Sequence, residues 1–300
     1  MLRYDISMDL CKDYSQLVLV WMKRKGVVSN KTGWDLWYEF FNLQKKTIKP
    51  RTRKVNFSKE FFCPKNHQQG LDILLKKFER GENVIPHLSK NARIPSQFDG
   101  LLYDWGIHHF HLGTTLDPKT GRAQRTGPIL FAKVDESNVY CINVYSHGKG
   151  VAPPWSKSEM IKILHRNWPE TISQYRLPDV TSIRISDKYS PTDDEYSKAR
   201  KSHMYTLVEA EENAIYAPLG GGQMSSGHSA EIVSLCDSIW NTLKRTEIYI
   251  KEHITSFVAA VEDVTGESPV GKLYFKLWNE SGQLYVVDLR SLVALIKVEI

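Results

Sequence analysis

The chain has 300 residues, of which 41% are hydrophobic and 25% are charged, so it holds enough apolar side chains for buried cores and lacks the composition of a disordered protein. This length allows one large domain or two ordinary ones. A net charge of +6 favours an anionic partner such as nucleic acid.

Cysteine usage and hydropathy indicate the compartment. The four cysteines are far apart in the sequence and form no Cys-x-x-Cys pair, which argues against a disulfide framework. The longest apolar stretch near the start, residues 17–22, is too short to span a bilayer. We therefore expect free thiols, no membrane partner and a cytoplasmic protein.

Helical patterns occupy most of the first eighty residues. Residues 8–24 end in Lys-Arg-Lys-Gly, which is typical of a helix C-terminus. A second helix is predicted from Trp34 to about Lys46, because its large apolar side chains form one stripe. A third is predicted over 67–80 on the same grounds.

A basic segment, residues 45–54, separates the second and third helices. Pro50 prevents a regular helix there. A run of cations is usually a solvated loop, but it can also contact a nucleic-acid backbone. The six cations of the basic segment are Lys45, Lys46, Lys49, Arg51, Arg53 and Lys54.

From residue 101 the hydrophobic pattern changes to a period of two, which predicts strands. The predicted strands are 101–105, 106–112, 128–134 and 139–146, and together they predict an antiparallel meander. A helix over 156–167 follows, where Ser156 and Glu159 have the spacing of a capping box, and then a strand over 181–186. The polar stretch 190–195 contains a proline and predicts a boundary between two domains, 1–190 and 191–300.

The second predicted domain opens with a hairpin, 204–208 and 213–217. A glycine-rich turn over 219–229 leads into a long helix, about 229–262. The turn could hold an anion at the helix N-terminus, but it lacks the lysine of a P-loop, and a flexible turn with a serine cap is the preferred interpretation. A second hairpin, 272–278 and 283–289, and an apolar segment complete the chain. The predicted fold is therefore α+β, with a helical N-terminal part, a central antiparallel sheet and a C-terminal module that has a long helix and hairpins.

The predicted strand 106–112 carries three histidines within four positions. Side chains alternate between the faces of a strand, so His109 and His111 share one face, while His108 shares the other with Phe110 and Leu112. His108 is therefore expected to be structural. Two imidazoles on one face suit proton transfer, metal ligation or phosphate contact, and they can also be hydrogen-bonded filling side chains.

Cleavage of RNA by its own 2′-hydroxyl needs a base, an acid and a cation that stabilises the phosphorane. We expect His109 and His111 to act as acid and base without a metal or another cofactor. Near strand ends lie Arg125, Lys133 and His147, which would hold or stabilise phosphate. Lys149 and the basic segment are the predicted nucleic-acid contacts.

A metal site is the alternative interpretation of the same histidines. A His-x-His pair on one strand face supplies two ligands, and His147 or Asp104 would be the third. Such a site with an open position would be hydrolytic.

The segments GLLYDWGIHHFHLG, GPILFAKV and NVYCINVYSHGKG follow helices and a basic linker. Over about residues 70–150 this arrangement resembles the RelE/HigB type of bacterial ribonuclease toxin, in which helices precede a small antiparallel sheet whose basic and histidine side chains cleave RNA. The resemblance implies an RNA-directed endonuclease that acts as a bacterial toxin or phage-defence effector and meets an inhibitory protein partner. The alternative from another class is a non-catalytic nucleic-acid-binding or protein-assembly subunit that uses the basic segment as its contact surface.

Overall fold

The computed structural model describes residues 4–148, 154–177, 191–204, 206–211 and 214–300. Its helices and strands are numbered in chain order. The helices in the described residues are α1 (Leu10–Arg24), α2 (Gly33–Lys46), α3 (Gln68–Arg80), α4 (Gly100–Trp105), α5 (Glu159–Asn167), α6 (Asp193–Lys201), α7 (Ala230–Glu252) and α8 (Ile254–Thr265). The strands are β1 (Asp5–Ser7), β2 (Lys54–Phe57), β3 (Ile107–His111), β4 (Pro128–Val134), β5 (Asn138–Ser146), β6 (Val208–Glu209), β7 (Ile215–Tyr216), β8 (Lys272–Glu280), β9 (Gln283–Asp288) and β10 (Ala294–Val298).

The predicted α+β class with a helical N-terminal part is confirmed. None of the helices in the described ranges is both long enough and apolar enough to cross a membrane.

The chain forms two compact units that the linear division at residue 190 does not match. Unit 1 combines Met1–Phe41 with Ile232–Ile300, and unit 2 is Asn42–Glu231. The reason is that the first and last parts of the chain contact each other, and hydrophobic periodicity does not predict contacts between distant residues. The backbone N–H of Leu10, at the start of α1, donates to Oε1 of Glu247 in α7 at 2.8 Å.

Unit 1 contains a four-stranded sheet with the order β1-β8-β9-β10. β1 runs parallel to β8, and the other neighbouring strands are antiparallel. Apolar side chains from β8 and β9 share one core with α1, α2, α7 and α8. The predicted C-terminal hairpin is present, and the last predicted apolar segment becomes its third strand, β10.

Unit 2 contains the sheet that carries the histidines, in the order β2-β5-β4-β3. The predicted meander β3-β4-β5 is antiparallel, and β2 adds a parallel strand from the end of the basic segment. One face packs on α3 and the other on α5. Because both faces are covered, β4 is apolar over most of its length.

Several local predictions differ from the structure. The predicted long helix 229–262 is divided at His253 into α7 and α8. Residues 101–105 are predicted as a strand but belong to helix α4, because the Asp99 side chain caps its N-terminus and Gly106, with φ 66°, ends it. The α5 helix begins at Glu159, and its N-cap is Ser158, not Ser156. The predicted boundary at 190–195 holds the start of α6, where Thr192 forms a capping box. The predicted strand 181–186 lies outside the described residues.

Candidate active site

Strand β3 presents His109 and His111 on the face that packs toward α5. Their direct partners on β4 are Phe131 and Ile129, and both of these side chains belong to the core on that face. Phe110 and its neighbour Leu112 belong to the core on the opposite face, beneath α3. Strand alternation therefore separates the two groups as predicted from the sequence.

A cavity of about 470 Å³ in unit 2 brings together four of the five predicted catalytic residues, His109, His111, Arg125 and His147. The fifth, Lys133, does not line it. In the sheet Lys133 lies opposite Ile107, at the start of β3, whereas the cavity lies toward the end of β3 where His109 and His111 are.

The hydrogen bonds of His111 and His147 assign them different ring tautomers. The backbone N–H of Thr126 donates to Nδ1 of His111 at 3.4 Å. In its neutral form His111 therefore carries its proton on Nε2. The Nδ1 of His147 is hydrogen-bonded to the carbonyl oxygen of Gly127, so it is the donor, and the Nε2 of neutral His147 has a free lone pair.

The two rings lie close enough to act on one ligand, because their centroids are 5.9 Å apart. Both residues line the same cavity, and because each Nδ1 is hydrogen-bonded to the backbone, Nε2 of each ring is the nitrogen left for a ligand. Acid–base catalysis of a phosphodiester reaction uses one imidazole as the base and one imidazolium as the acid.

The cavity environment favours the neutral forms of His109 and His111. Burial, assisted by the charge of Arg125 and by neighbouring histidines, lowers the pKa of His111 to about 4. Burial also lowers the pKa of His109. A bound anion would raise the pKa values of these histidines, since a negative charge nearby favours the imidazolium.

His109 forms a wall of the cavity, and only its Nε2 could exchange a proton with a ligand. Its Nδ1 is closed off from solvent and has no hydrogen-bond partner in the described part of the chain. The ring packs edge-on against Trp155, with centroids 4.9 Å apart. Trp155 also packs on His147, with ring centroids 5.6 Å apart, so one indole contacts two of the four imidazoles that line the cavity.

A buried ion pair supports Trp155. Arg200 donates twice to Oδ2 of Asp104, at 2.8 and 3.0 Å, and once to the carbonyl of Trp155. The guanidinium carbon lies 4.3 Å from the ring centroid of Trp105, and Thr206 donates to the same carboxylate oxygen at 3.0 Å. Because Arg200 joins α6 to α4 and to Trp155, it is a positioning residue for this wall of the cavity.

Two further contacts hold the end of β3 in place. His87 is 1% exposed, and its Nδ1 donates to the carbonyl of His111 at 2.9 Å. Gly70 lies against the carbonyl of Leu112 so closely that a Cβ would collide with it. The glycine therefore lets α3 approach the strand.

The charge of the lining favours an anion. Among the described residues that line the cavity there is one carboxylate, Asp99, and its side chain already accepts from Leu102 N. The cationic lining side chains are Lys46, Lys90, Arg125, Arg200 and Lys201.

Most cations of the basic segment are engaged within the protein. Lys46 is 2% exposed and donates to three backbone carbonyls, and Arg53 is 7% exposed and donates to three others. Lys45 pairs with Glu231, and Arg51 pairs with Glu136. The exposed members Lys49 and Lys54 remain available for contact with a partner, and Lys149 lies outside the described residues.

Several site residues were missed because the helix that carries them was not predicted. Arg200 and Lys201 belong to α6, and the Thr192-x-x-Glu195 capping box was the signal that could have found it. The glycine-rich turn also reaches the cavity, through Gln223 and Gly227. It packs tightly on α4, since a Cβ at Gly220 would collide with backbone carbonyls there.

The ligands of the alternative metal site do not assemble. Asp104 is bonded to Arg200, and within the described ranges no three His, Cys, Asp or Glu side chains are grouped to hold a metal ion. No protein-family model, curated protein or solved structure matches the chain.

Proposed function

We propose that unit 2 is a metal-independent endoribonuclease whose acid–base pair is His111 and His147. The observation that carries the proposal is that two neighbouring rings, each hydrogen-bonded to the backbone through Nδ1, share a cavity lined by cations. Arg125 lines the same cavity and would stabilise the charge that develops on the phosphorane.

The reaction follows from this arrangement. The 2′-oxygen of a ribose attacks the adjacent phosphorus while Nε2 of His147 takes its proton. His111 takes up its second proton when the phosphodiester binds, because the bound negative charge favours the imidazolium, and its Nδ1 then no longer accepts from Thr126 N–H. The bond from phosphorus to the 5′-oxygen breaks, and Nε2 of this imidazolium donates a proton to that oxygen. The products are a 2′,3′-cyclic phosphate and a free 5′-hydroxyl, so neither water nor an electron acceptor is consumed.

The test is incubation of a labelled single-stranded RNA with the full chain in excess EDTA. Cleavage with cyclic-phosphate ends is expected, and the same oligonucleotide with 2′-O-methyl groups should stay intact. His111→Ala and His147→Ala should each lower the rate by about 10²- to 10⁴-fold. Lys133→Gln is the matched control, because Lys133 does not line the cavity, and it should retain activity.

The competing proposal, a binding subunit that uses the basic segment, makes the opposite prediction. If neutralising Lys49 and Lys54 abolished the biological activity while His147→Ala preserved it, the nuclease proposal would be refuted. A role as a toxin or defence effector is tested separately, by growth arrest on induced expression that His147→Ala relieves. An inhibitory protein would relieve it as well.

A further inference from the structure

One face of the sheet in unit 1 carries exposed aromatic side chains. Along β8 the side chains of Leu273, Phe275 and Leu277 are buried in the core. The alternate side chains face outward, and among them Tyr274 is 38% exposed and Trp278 is 48% exposed.

The neighbouring strand extends this face. Tyr285 on β9 lies directly opposite Trp278, and Lys297 on β10 lies opposite Tyr285. The Nε1 of Trp278 donates to Oε2 of Glu280 at 3.2 Å, which holds the indole by its edge. Tyr274, Trp278 and Tyr285 are called the aromatic face below.

Two cations border Tyr274, at one end of the aromatic face. The Nζ of Lys272 lies 5.9 Å from the ring centroid of Tyr274, and the guanidinium of Arg290 lies 5.6 Å from it. Lys272 reaches Asp5 at 3.5 Å, and Lys297 reaches Glu299 only at 3.9 Å. Such exposed ion pairs contribute little stability, so a phosphate can replace either carboxylate.

We propose that the aromatic face binds single-stranded nucleic acid. Every base has a π-face that can stack on Tyr274 or Trp278, and the bordering lysines and arginine match the charge of the backbone between the bases. Aromatic side chains interleaved with cations on an open sheet fit this ligand better than an apolar protein surface, which would have to bury those charges. The inference does not rest on the cavity of unit 2 or on its proposed chemistry.

The test is fluorescence anisotropy of the full chain with labelled twelve-nucleotide 2′-O-methyl-uridine and deoxythymidine strands. Neither strand offers a 2′-hydroxyl for cleavage, so binding is measured apart from any nuclease activity. Trp278→Ala and Tyr274→Ala should each weaken binding about tenfold or more, since stacking on one aromatic side chain is worth that much. Trp278→Phe should keep most of the affinity, because a phenyl ring can still stack on a base although it cannot donate to Glu280.

The matched control is Tyr249→Ala, because Tyr249 is 46% exposed on helix α7 of the same unit. It should bind as the unmodified chain does. Lys297→Gln should weaken both strands and reduce the slope of log affinity against log salt by about 0.7. Binding of only one of the two strands would still support the proposal and would show that the face distinguishes the two nucleotides. Absence of binding to both, or equal affinities for Trp278→Ala, Tyr274→Ala and the unmodified chain, would overturn the proposal.

Discussion

His111 ties the stability of the fold to pH. It is 4% exposed, and burial lowers its pKa to about 4, whereas histidine in an unfolded chain titrates near pH 6.5. Between these values the unfolded chain binds more protons than the folded one, so acidification favours unfolding. The stabilisation that neutral His111 gives the folded state is fully present above pH 6.5 and is lost progressively as the pH falls from 6.5 to about 4.

The magnitude follows from the two pKa values. Their difference corresponds to roughly 3 kcal/mol, of which about 2 kcal/mol falls between pH 7 and pH 5. Urea unfolding at those two pH values should therefore show that the unmodified chain loses about 2 kcal/mol more than His111→Gln does. His253→Gln, at an exposed position, should keep the slope of the unmodified chain. Equal pH dependence in the unmodified chain and His111→Gln would refute the reasoning, as would an NMR titration of the His111 ring with a midpoint above pH 6.

Three further outcomes are expected. Binding of a non-cleavable dinucleotide should raise the pKa of His111, so calorimetry in two buffers at pH 6 should show proton uptake, and its absence in both would argue against contact. Arg200→Met should lower the free energy of unfolding by about 3–5 kcal/mol because it strands the Asp104 carboxylate, and an added Asp104→Asn should recover part of the loss in urea titrations. Gly70→Ala should destabilise by about 1–3 kcal/mol through a backbone collision, whereas Gly127→Ala, which meets only an ordinary contact, should differ little in thermal unfolding.

Local sequence signals predicted strands β3, β4, β5, β8 and β9, whereas β1 and β2 were not predicted. Strand alternation separated His109 and His111 from His108 because it depends only on neighbouring residues. The same alternation also places Lys133 on the face of His109, but only the register with β3 shows that it lies at the far end. Residues 101–105 are mostly apolar, as a short buried strand can be, yet the capping Asp99 and the terminal Gly106 favour a helix.

The remaining features depend on contacts between distant residues. Lys46 looks like a solvated cation in sequence but is buried, because three carbonyls from residues 91–97 surround its ammonium group. Arg200 follows a polar stretch that resembles a linker, and its partner Asp104 is distant in the chain. Hydrophobic periodicity does not indicate which charged side chain has a buried partner, so it could not predict the positively charged lining of the cavity.

The capping of α1 by Glu247 has a consequence for synthesis on the ribosome. Leu10 and Glu247 are 237 residues apart, so at 5–20 residues per second Leu10 waits roughly 10–50 s for its partner. All of unit 2 is translated during that interval and can fold first. The apolar stripes of α1 and α2 are meanwhile without their final neighbours, which makes the emerging N-terminal segment a target for holding chaperones until the last strands are made.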